Sequence, residues 1–348
     1  MELPESSRAM GRPVLTRLVR AWGLPLVLGS TLAALWIFYV NSSNGSQTAA
    51  QKLKPAAIDG DRAYGYLKSL CEFGPRKAGS DANTKQREYV AAHFKKMGAT
   101  LTEQKFATKD PISGADVNMV NLVASWNPER TERVVIAAHY DTRPFPDPAR
   151  DPENHNVPFI GANDGASGVA VQMEIANHLK DSETPWGVDL VLLDGEELIY
   201  DDPVQGRLGE FFLGSNEFSR LYKASVKTSE NRYVAGIVLD MVGDKKLALP
   251  VEVNSKKYAP SLVREIWGVA DRLKQRGFKQ NLGPEVMDDH LSMNAAGIFT
   301  VDIIDFDYPY WHTSGDTPDK CSGKSLAEVG RVVTAWLNLP KSARSKKR

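Results

Sequence analysis

The sequence predicts an α/β fold, a three-layer α/β/α sandwich whose mixed, mainly parallel sheet lies between two layers of helices. One observation is that apolar segments of strand length alternate with amphipathic segments of helical period. Another is that several apolar segments end in acidic or histidine side chains, as residues 191–193 do shortly before Glu196 and Glu197. In an open α/β sheet the carboxyl ends of the strands border the ligand crevice, so these side chains are candidates for chemistry.

Length and charge restrict the functional classes. The 348 residues carry 43 basic and 43 acidic side chains, so no excess of charge indicates nucleic acid or an acidic substrate. The N-terminal region differs in composition from the remainder, which leaves roughly 290 residues for one large domain. We place that domain at residues 56–340 and read residues 341–348 as a basic tail.

The N-terminal region predicts a membrane anchor. An arginine-containing segment, residues 1–20, precedes an uncharged apolar run at residues 21–40 that is long enough to span a bilayer as a helix. Because positive charge stays in the cytoplasm, residues 1–20 are expected there, and the domain beyond the linker at residues 41–55 is expected outside. Cleavage near residues 47–50 is the alternative, and it would release a secreted protein.

The predicted elements of the first half lead to a histidine. Two amphipathic helices are followed by two alternating strands and one apolar strand. These elements are placed at residues 64–71, 83–97, 100–106, 119–125 and 133–138. The last strand delivers His139 and Asp141, and alternate side chains at a strand end share one face. A carboxylate in that position is suited to orient an imidazole that binds a metal.

The second half repeats the pattern of strands that end in acids. Asp164 stands in a Gly- and Ala-rich turn at the entrance of a helix, either as its N-cap or as a metal ligand. The strand at residues 233–239 ends in Asp240, and Asp288 precedes a helical turn. The remaining elements are a helix from Ala166, a strand at residues 188–193, helices at 215–222 and 260–273, a strand at 297–304 and a helix at 325–337.

The acids and histidines at these positions predict one metal site. Imidazole and carboxylate ligands without thiolate are typical of catalytic zinc with an open coordination position. Any single member has an ordinary structural explanation, but their common placement at one sheet edge does not. The candidates are His139, Asp164, Glu196, Glu197, Asp240, Asp288 and His312.

Five motifs in this order resemble the zinc aminopeptidase superfamily that also contains the glutaminyl cyclases. The motifs are His139-Tyr140-Asp141, Gly161-Ala162-Asn163-Asp164, Asp194-Gly195-Glu196-Glu197, Leu239-Asp240 and Trp311-His312-Thr313. The resemblance extends over roughly residues 56–339, which is nearly all of the predicted domain. It implies a zinc-dependent enzyme that acts on the N-termini of peptides or proteins.

The two branches of that superfamily use these residues differently. In a dizinc aminopeptidase, the resemblance implies that Glu196 activates a water between two ions. The ligands would be His139 and Asp240 on one ion, Glu197 and His312 on the other, and Asp164 as the bridge. In a glutaminyl cyclase, one zinc would be held by Asp164, Glu197 and His312.

The cyclase branch implies conversion of an N-terminal glutamine to pyroglutamate with release of ammonia. Glu196 would move the proton, and its pKa should be raised by neighbouring Asp240 and Asp288, which complete a carboxylate network. Trp311 and Tyr308 would contact the substrate.

Three features favour the cyclase: Asp288-Asp289-His290, Trp311 next to His312, and the long spacer that follows Glu197. Two features depart from it. The spacer after Glu197 contains Asp201-Asp202 where cyclases have a second pocket tryptophan, and Met287 stands where they can have a polar residue. We therefore favour the cyclase and retain the aminopeptidase as the alternative. A binding protein that has lost the chemistry is disfavoured because no candidate ligand is missing.

The sequence contains two cysteines, Cys71 and Cys321. In an oxidising compartment they would form one disulfide or remain two buried thiols. The sequence leaves both alternatives open.

Overall fold

A six-stranded sheet forms the centre of the computed structural model, which describes residues 53–202 and 206–341. The strands of the described chain are β1 (Thr100–Lys109), β2 (Asp116–Trp126), β3 (Glu132–His139), β4 (Gly187–Leu193), β5 (Ile199–Asp202), β6 (Gly206–Gly209), β7 (Arg232–Asp240), β8 (Leu249–Val251), β9 (Phe278–Leu282) and β10 (Thr300–Ile304). The helices are α1 (Gly60–Cys71), α2 (Asp81–Lys96), α3 (Ser167–Leu179), α4 (Leu213–Ser225), α5 (Val253–Tyr258), α6 (Pro260–Arg272), α7 (Asp289–Ala295) and α8 (Gly323–Leu337).

The order of the strands in the sheet is β1-β2-β4-β3-β7-β10. The pairs β4–β3, β3–β7 and β7–β10 are parallel, whereas β1–β2 and β2–β4 are antiparallel. The predicted mixed, mainly parallel sheet is therefore confirmed. Since four neighbouring strands run in the same direction, their carboxyl ends meet at one edge and bring together loops that are far apart in sequence.

Alternate residues of β3 pack against two separate layers of helices. Val134 and Ile136 belong to the larger apolar cluster, which also contains side chains of α1, α3 and α8. Val135 and Ala137 belong to a second cluster with side chains of α4 and α7. This alternation places helices on both faces of the sheet, as the sequence predicted.

Several short elements escaped the sequence analysis. The insertion after Glu197 contains the antiparallel hairpin β5–β6, and β8 pairs with β9 outside the main sheet. These strands are three to five residues long, too short to show a hydrophobic period.

The described residues include no helix that is long and apolar enough to cross a membrane. The predicted anchor at residues 21–40 lies outside the described part of the chain, as do residues 1–20. Cys71 and Cys321 are both buried free thiols in the structure. Burial raises the pKa of Cys71 to about 11.

Candidate active site

The ends of β3 and β7 bring a histidine and an aspartate into contact. His139 is the last residue of β3 and Asp240 is the last residue of β7. The distance from His139 Nε2 to Asp240 Oδ1 is 3.1 Å, and the distance from the same nitrogen to Asp164 Oδ1 is 3.3 Å. These three side chains form a first group of candidate ligands.

A second group shares Asp164 with the first. His312 Nε2 lies 2.7 Å from Glu197 Oε1 and 3.7 Å from Asp164 Oδ2. His312 has a φ of 58°, a left-handed conformation that non-glycine residues rarely adopt. Such strained residues persist where the surrounding structure holds them, commonly at functional sites.

Both groups fit a zinc ion. Within each group the ligand atoms lie within 4.8 Å of one another. The buried atoms Asp164 Oδ2 and Glu197 Oε2 have no hydrogen-bond partner among the described residues. Buried polar atoms normally have partners, so these orphaned atoms are those expected of a metal-binding set. Imidazole and carboxylate are ligands that zinc takes in catalytic sites.

The loop before α3 presents Asp164 without using it as a helix cap. The N-cap of α3 is Ala166, which makes no side-chain capping bond, so the N-cap alternative for Asp164 is wrong. Instead, the carboxylate of Asp316 accepts the backbone N–H groups of Asn163 at 2.9 Å and of Asp164 at 3.0 Å. Burial, together with the charge of Asp164, raises the pKa of Asp316 to about 7. Asp316 thus fixes the backbone of a candidate ligand, and sequence analysis missed it.

Asp141 holds the loop that carries the two glutamates. Its carboxylate accepts the backbone N–H groups of Glu196 and Glu197, each at 3.1 Å. Its Oδ1 also lies 3.8 Å from His139 Nδ1. The carboxylate was predicted to orient the imidazole, whereas its closest contacts are with the glutamate backbone.

The two adjacent glutamates have opposite electrostatic environments. Burial, followed by the charge of Glu197, raises the pKa of Glu196 well above its ordinary value. Burial acts in the same direction on Glu197, but His312 and Arg143 outweigh it and lower the pKa of Glu197 to about 2. A pair of carboxyls with separated pKa values can divide proton transfer from ligand binding. The predicted rise in the pKa of Glu196 therefore comes mainly from burial and from the charge of Glu197, and less from the charge of Asp288.

Asp288 lies at the N-terminus of α7, where its Oδ1 accepts the N–H of Asp289. Burial and the neighbouring charge of Asp240 raise the pKa of Asp288 to about 6. Asp288 also forms a third buried group of potential ligand atoms, together with His290 and Asp302. Asp302 was not a candidate because it stands inside a strand and not at its end.

These side chains border a cavity of about 430 Å³. Apolar walls come from Trp311, Phe306 and Met287 and from two phenylalanines, Phe211 and Phe212. The structure thus brings all seven predicted acids and histidines to one site: six line the cavity, and His139 contacts Asp164 and Asp240 behind it.

Tyr308 does not line this cavity. It is 1% exposed, and its hydroxyl donates a hydrogen bond of 2.7 Å to Asp316 Oδ1. We therefore correct the predicted substrate contact: Tyr308 supports the carboxylate that holds the Asp164 loop. Trp311 does line the cavity, and its ring lies 4.0 Å from that of His312, measured between centroids.

The fold and the site define a zinc exopeptidase-like protein. Residues 121–337 match the model of Peptidase family M28, which is more than half of the 348 residues. The chain belongs to this family, and the resemblance stated from its motifs is confirmed.

Two relatives carry the names of the two branches. The glutaminyl-peptide cyclotransferase-like protein of Bos taurus is 24% identical over 289 residues, which are 75% of this chain and 71% of that protein. Aminopeptidase YwaD of Bacillus subtilis (strain 168) is 28% identical over 307 residues, 84% of this chain and 60% of that protein.

Similar solved structures are also named as a glutaminyl cyclase and as an aminopeptidase. The glutaminyl cyclase of Fimbriiglobus ruber is 39% identical with a TM-score of 0.80, and the match covers 85% of this chain and 100% of that one. A leucine aminopeptidase precursor from Bacteroides thetaiotaomicron is 32% identical with a TM-score of 0.77, covering 83% and 100%.

Proposed function

We propose that this protein is a zinc-dependent glutaminyl-peptide cyclotransferase, which converts the N-terminal glutamine of peptides to pyroglutamate and releases ammonia. The observation that carries the proposal is the cavity. Its volume of about 430 Å³ is that of a small-ligand pocket. It is lined by Asp164, Glu197 and His312 and by Glu196, Asp288 and Trp311. The similarity to the glutaminyl cyclase of Fimbriiglobus ruber supports the same activity.

The residues of this chain suit an intramolecular reaction. Bound zinc would supply a Lewis acid for the side-chain carbonyl of the glutamine. Glu196 takes a proton from the α-amine as the new C–N bond forms, and returns it to the amide nitrogen that leaves as ammonia. Its raised pKa suits both transfers. Asp288 accepts a hydrogen bond from the departing nitrogen. Because the cavity holds amine and carbonyl together, no external nucleophile is needed.

We propose one zinc ion per chain, held by Asp164, Glu197 and His312. All three side chains are at most 7% exposed. Asp240 is more exposed and interacts with both His139 and Asp288. In this arrangement His139 and Asp240 support the site and do not bind the metal.

The second candidate function is a dizinc aminopeptidase. One specific observation favours it: His139, Asp164 and Asp240 form a complete second ligand group beside the first. The Bacillus aminopeptidase and the Bacteroides leucine aminopeptidase precursor are relatives of the kind that this alternative requires.

The test presents zinc-loaded protein with a peptide that begins with glutamine and a matched peptide that begins with leucine. Mass spectrometry and an ammonia assay follow the products, and elemental analysis counts zinc. We expect loss of ammonia from the first peptide, no cleavage of the second, and one zinc per chain. Release of free leucine without cyclisation, together with two zinc ions per chain, would establish the aminopeptidase.

Membrane attachment is a proposal from sequence alone. We propose that residues 21–40 anchor the chain with residues 1–20 in the cytoplasm, and that the catalytic domain at residues 56–340 lies outside. N-terminal sequencing of the mature protein tests this. A start near Gln51 would exclude the anchor and indicate a secreted enzyme.

A further inference from the structure

Two phenylalanines between β6 and α4, Phe211 and Phe212, line the same cavity as Trp311. The rings of Phe211 and Phe212 are stacked, with centroids 5.4 Å apart and an angle of 29° between their planes. Both side chains are only partly buried. An aromatic pair that remains partly exposed inside a pocket is available to a ligand.

The backbone of Phe212 is tied to the glutamate loop. Its N–H donates a 3.0 Å hydrogen bond to the carbonyl oxygen of Glu196, and the N–H of Leu213 donates to Gly195 at 3.1 Å. Phe212 has a φ of 62°, which is rare for an aromatic residue. The fold thus retains an unfavourable backbone conformation where a ring meets the cavity beside the proposed base.

Phe211 contacts a set of charged side chains. The guanidinium of Arg207 lies 5.1 Å from the centroid of its ring, and Arg207 Nε donates to Asp201 Oδ1 at 3.0 Å. Asp201 also accepts a hydrogen bond from Arg143, which in turn contacts Glu197. The aromatic pair is therefore linked to the ligand group through side-chain contacts.

We propose that Phe211 and Phe212 form the second aromatic wall of the substrate pocket and hold the methylene groups of the N-terminal glutamine against Trp311. This inference rests on the proposed cyclase function and names its specificity determinants. Asp201-Asp202 stands where a tryptophan was expected, and the wall comes instead from the two residues that precede α4. The aromatic rings offer apolar surface to the methylene groups, and the carboxylates that also line the cavity offer polar partners to the amine and the amide.

Phe212→Gly tests the proposal sharply because glycine adopts a positive φ without strain. The variant removes the ring without disturbing the backbone. We expect KM for a glutamine-initiated peptide to rise about tenfold or more, as loss of one aromatic contact implies. We expect kcat to change less than about threefold, with unchanged zinc content and no fall in Tm. Phe211→Ala should raise KM in the same way. Phe212→Tyr, which keeps an aromatic ring at this position, should have a KM close to that of the wild type.

The matched control is Phe145→Ala. Phe145 is 44% exposed, lies near Tyr200 of the insertion after Glu197 and does not line the cavity. We expect its KM to equal that of the wild type. If the wild type forms pyroglutamate and both Phe212→Gly and Phe211→Ala have the KM of the wild type, this proposal is overturned and the cyclase function stands. A wild type that forms no pyroglutamate would overturn the cyclase function and this proposal together.

Discussion

The guanidinium of Arg143 lies 3.4 Å from the carboxylate of Glu197, and both side chains are buried. The same guanidinium contacts Asp201 of the insertion. Arg143 is therefore a permanent positive charge beside the proposed metal ligands, and His312 and Arg143 together lower the pKa of Glu197 to about 2. A carboxylate that stays ionised in a buried site is ready to bind a metal.

Arg143→Gln should destabilise the metal-free protein more than the zinc-loaded one. Without the guanidinium, Glu197 is left buried with less positive charge around it, and breaking a buried pair costs about 3–5 kcal/mol. Bound zinc would replace part of that charge. Thermal unfolding with zinc and with chelator measures the effect, and we expect the gap in Tm between the two conditions to widen in the variant. An unchanged gap would contradict this role.

Glu196→Gln should keep zinc and lose turnover. The amide has nearly the same shape as the carboxyl but cannot take a proton from the substrate amine, and loss of a general base typically costs about 10²- to 10⁴-fold in rate. Elemental analysis and pyroglutamate formation are measured on the same sample. Substantial turnover in a variant with full zinc content would remove the proton-transfer role.

The strand ends were the part of the site that sequence predicted best. His139 and Asp240 end apolar strands whose length and β-branched content are visible in the sequence, and parallel pairing forces such ends to one edge. Asp316 acts on Asn163, 153 residues away, and a loop contact of that separation has no local signal. Phe212 was also missed, because its place in the cavity depends on the pairing of β5 with β6, two strands that were not predicted. The prediction for Tyr308 was wrong because the sequence near a candidate ligand histidine does not reveal which way a tyrosine side chain points.

Tyr308→Phe separates the corrected role from the predicted one. The variant loses the hydroxyl that donates to Asp316 Oδ1, which keeps the N–H of Asn163 as a partner. The cost is therefore that of one hydrogen bond, about 0.5–1.5 kcal/mol. We expect a lower Tm with KM for the glutamine peptide unchanged. A raised KM with an unchanged Tm would instead indicate direct contact with the substrate.

Glu252 gives the fold an acid-dependent component of stability. Its carboxylate caps α5 by accepting the N–H groups of Asn254 and Ser255, and it also accepts the N–H of Val286. Burial acts in the opposite direction. The imidazole of His290, whose Nε2 lies 3.4 Å from Oε2 of Glu252, and the hydrogen bonds from these backbone groups nevertheless lower the pKa of Glu252 from 4.5 to about 2. A depressed folded-state pKa stabilises the protein above the unfolded value, and this stability is lost as pH falls from about 4.5 toward 2.

Glu252→Gln should therefore be less stable than the wild type near pH 6. The upper limit is about 3.5 kcal/mol, since each unit of pKa difference corresponds to about 1.4 kcal/mol. The deficit should shrink as the pH is lowered toward 3, because the wild type then loses the ionised carboxylate. Denaturant unfolding at several pH values measures it, with Glu153→Gln as the control at an exposed carboxyl. A deficit that stays constant from pH 6 to pH 3 would mean that the cap acts through shape and not through charge.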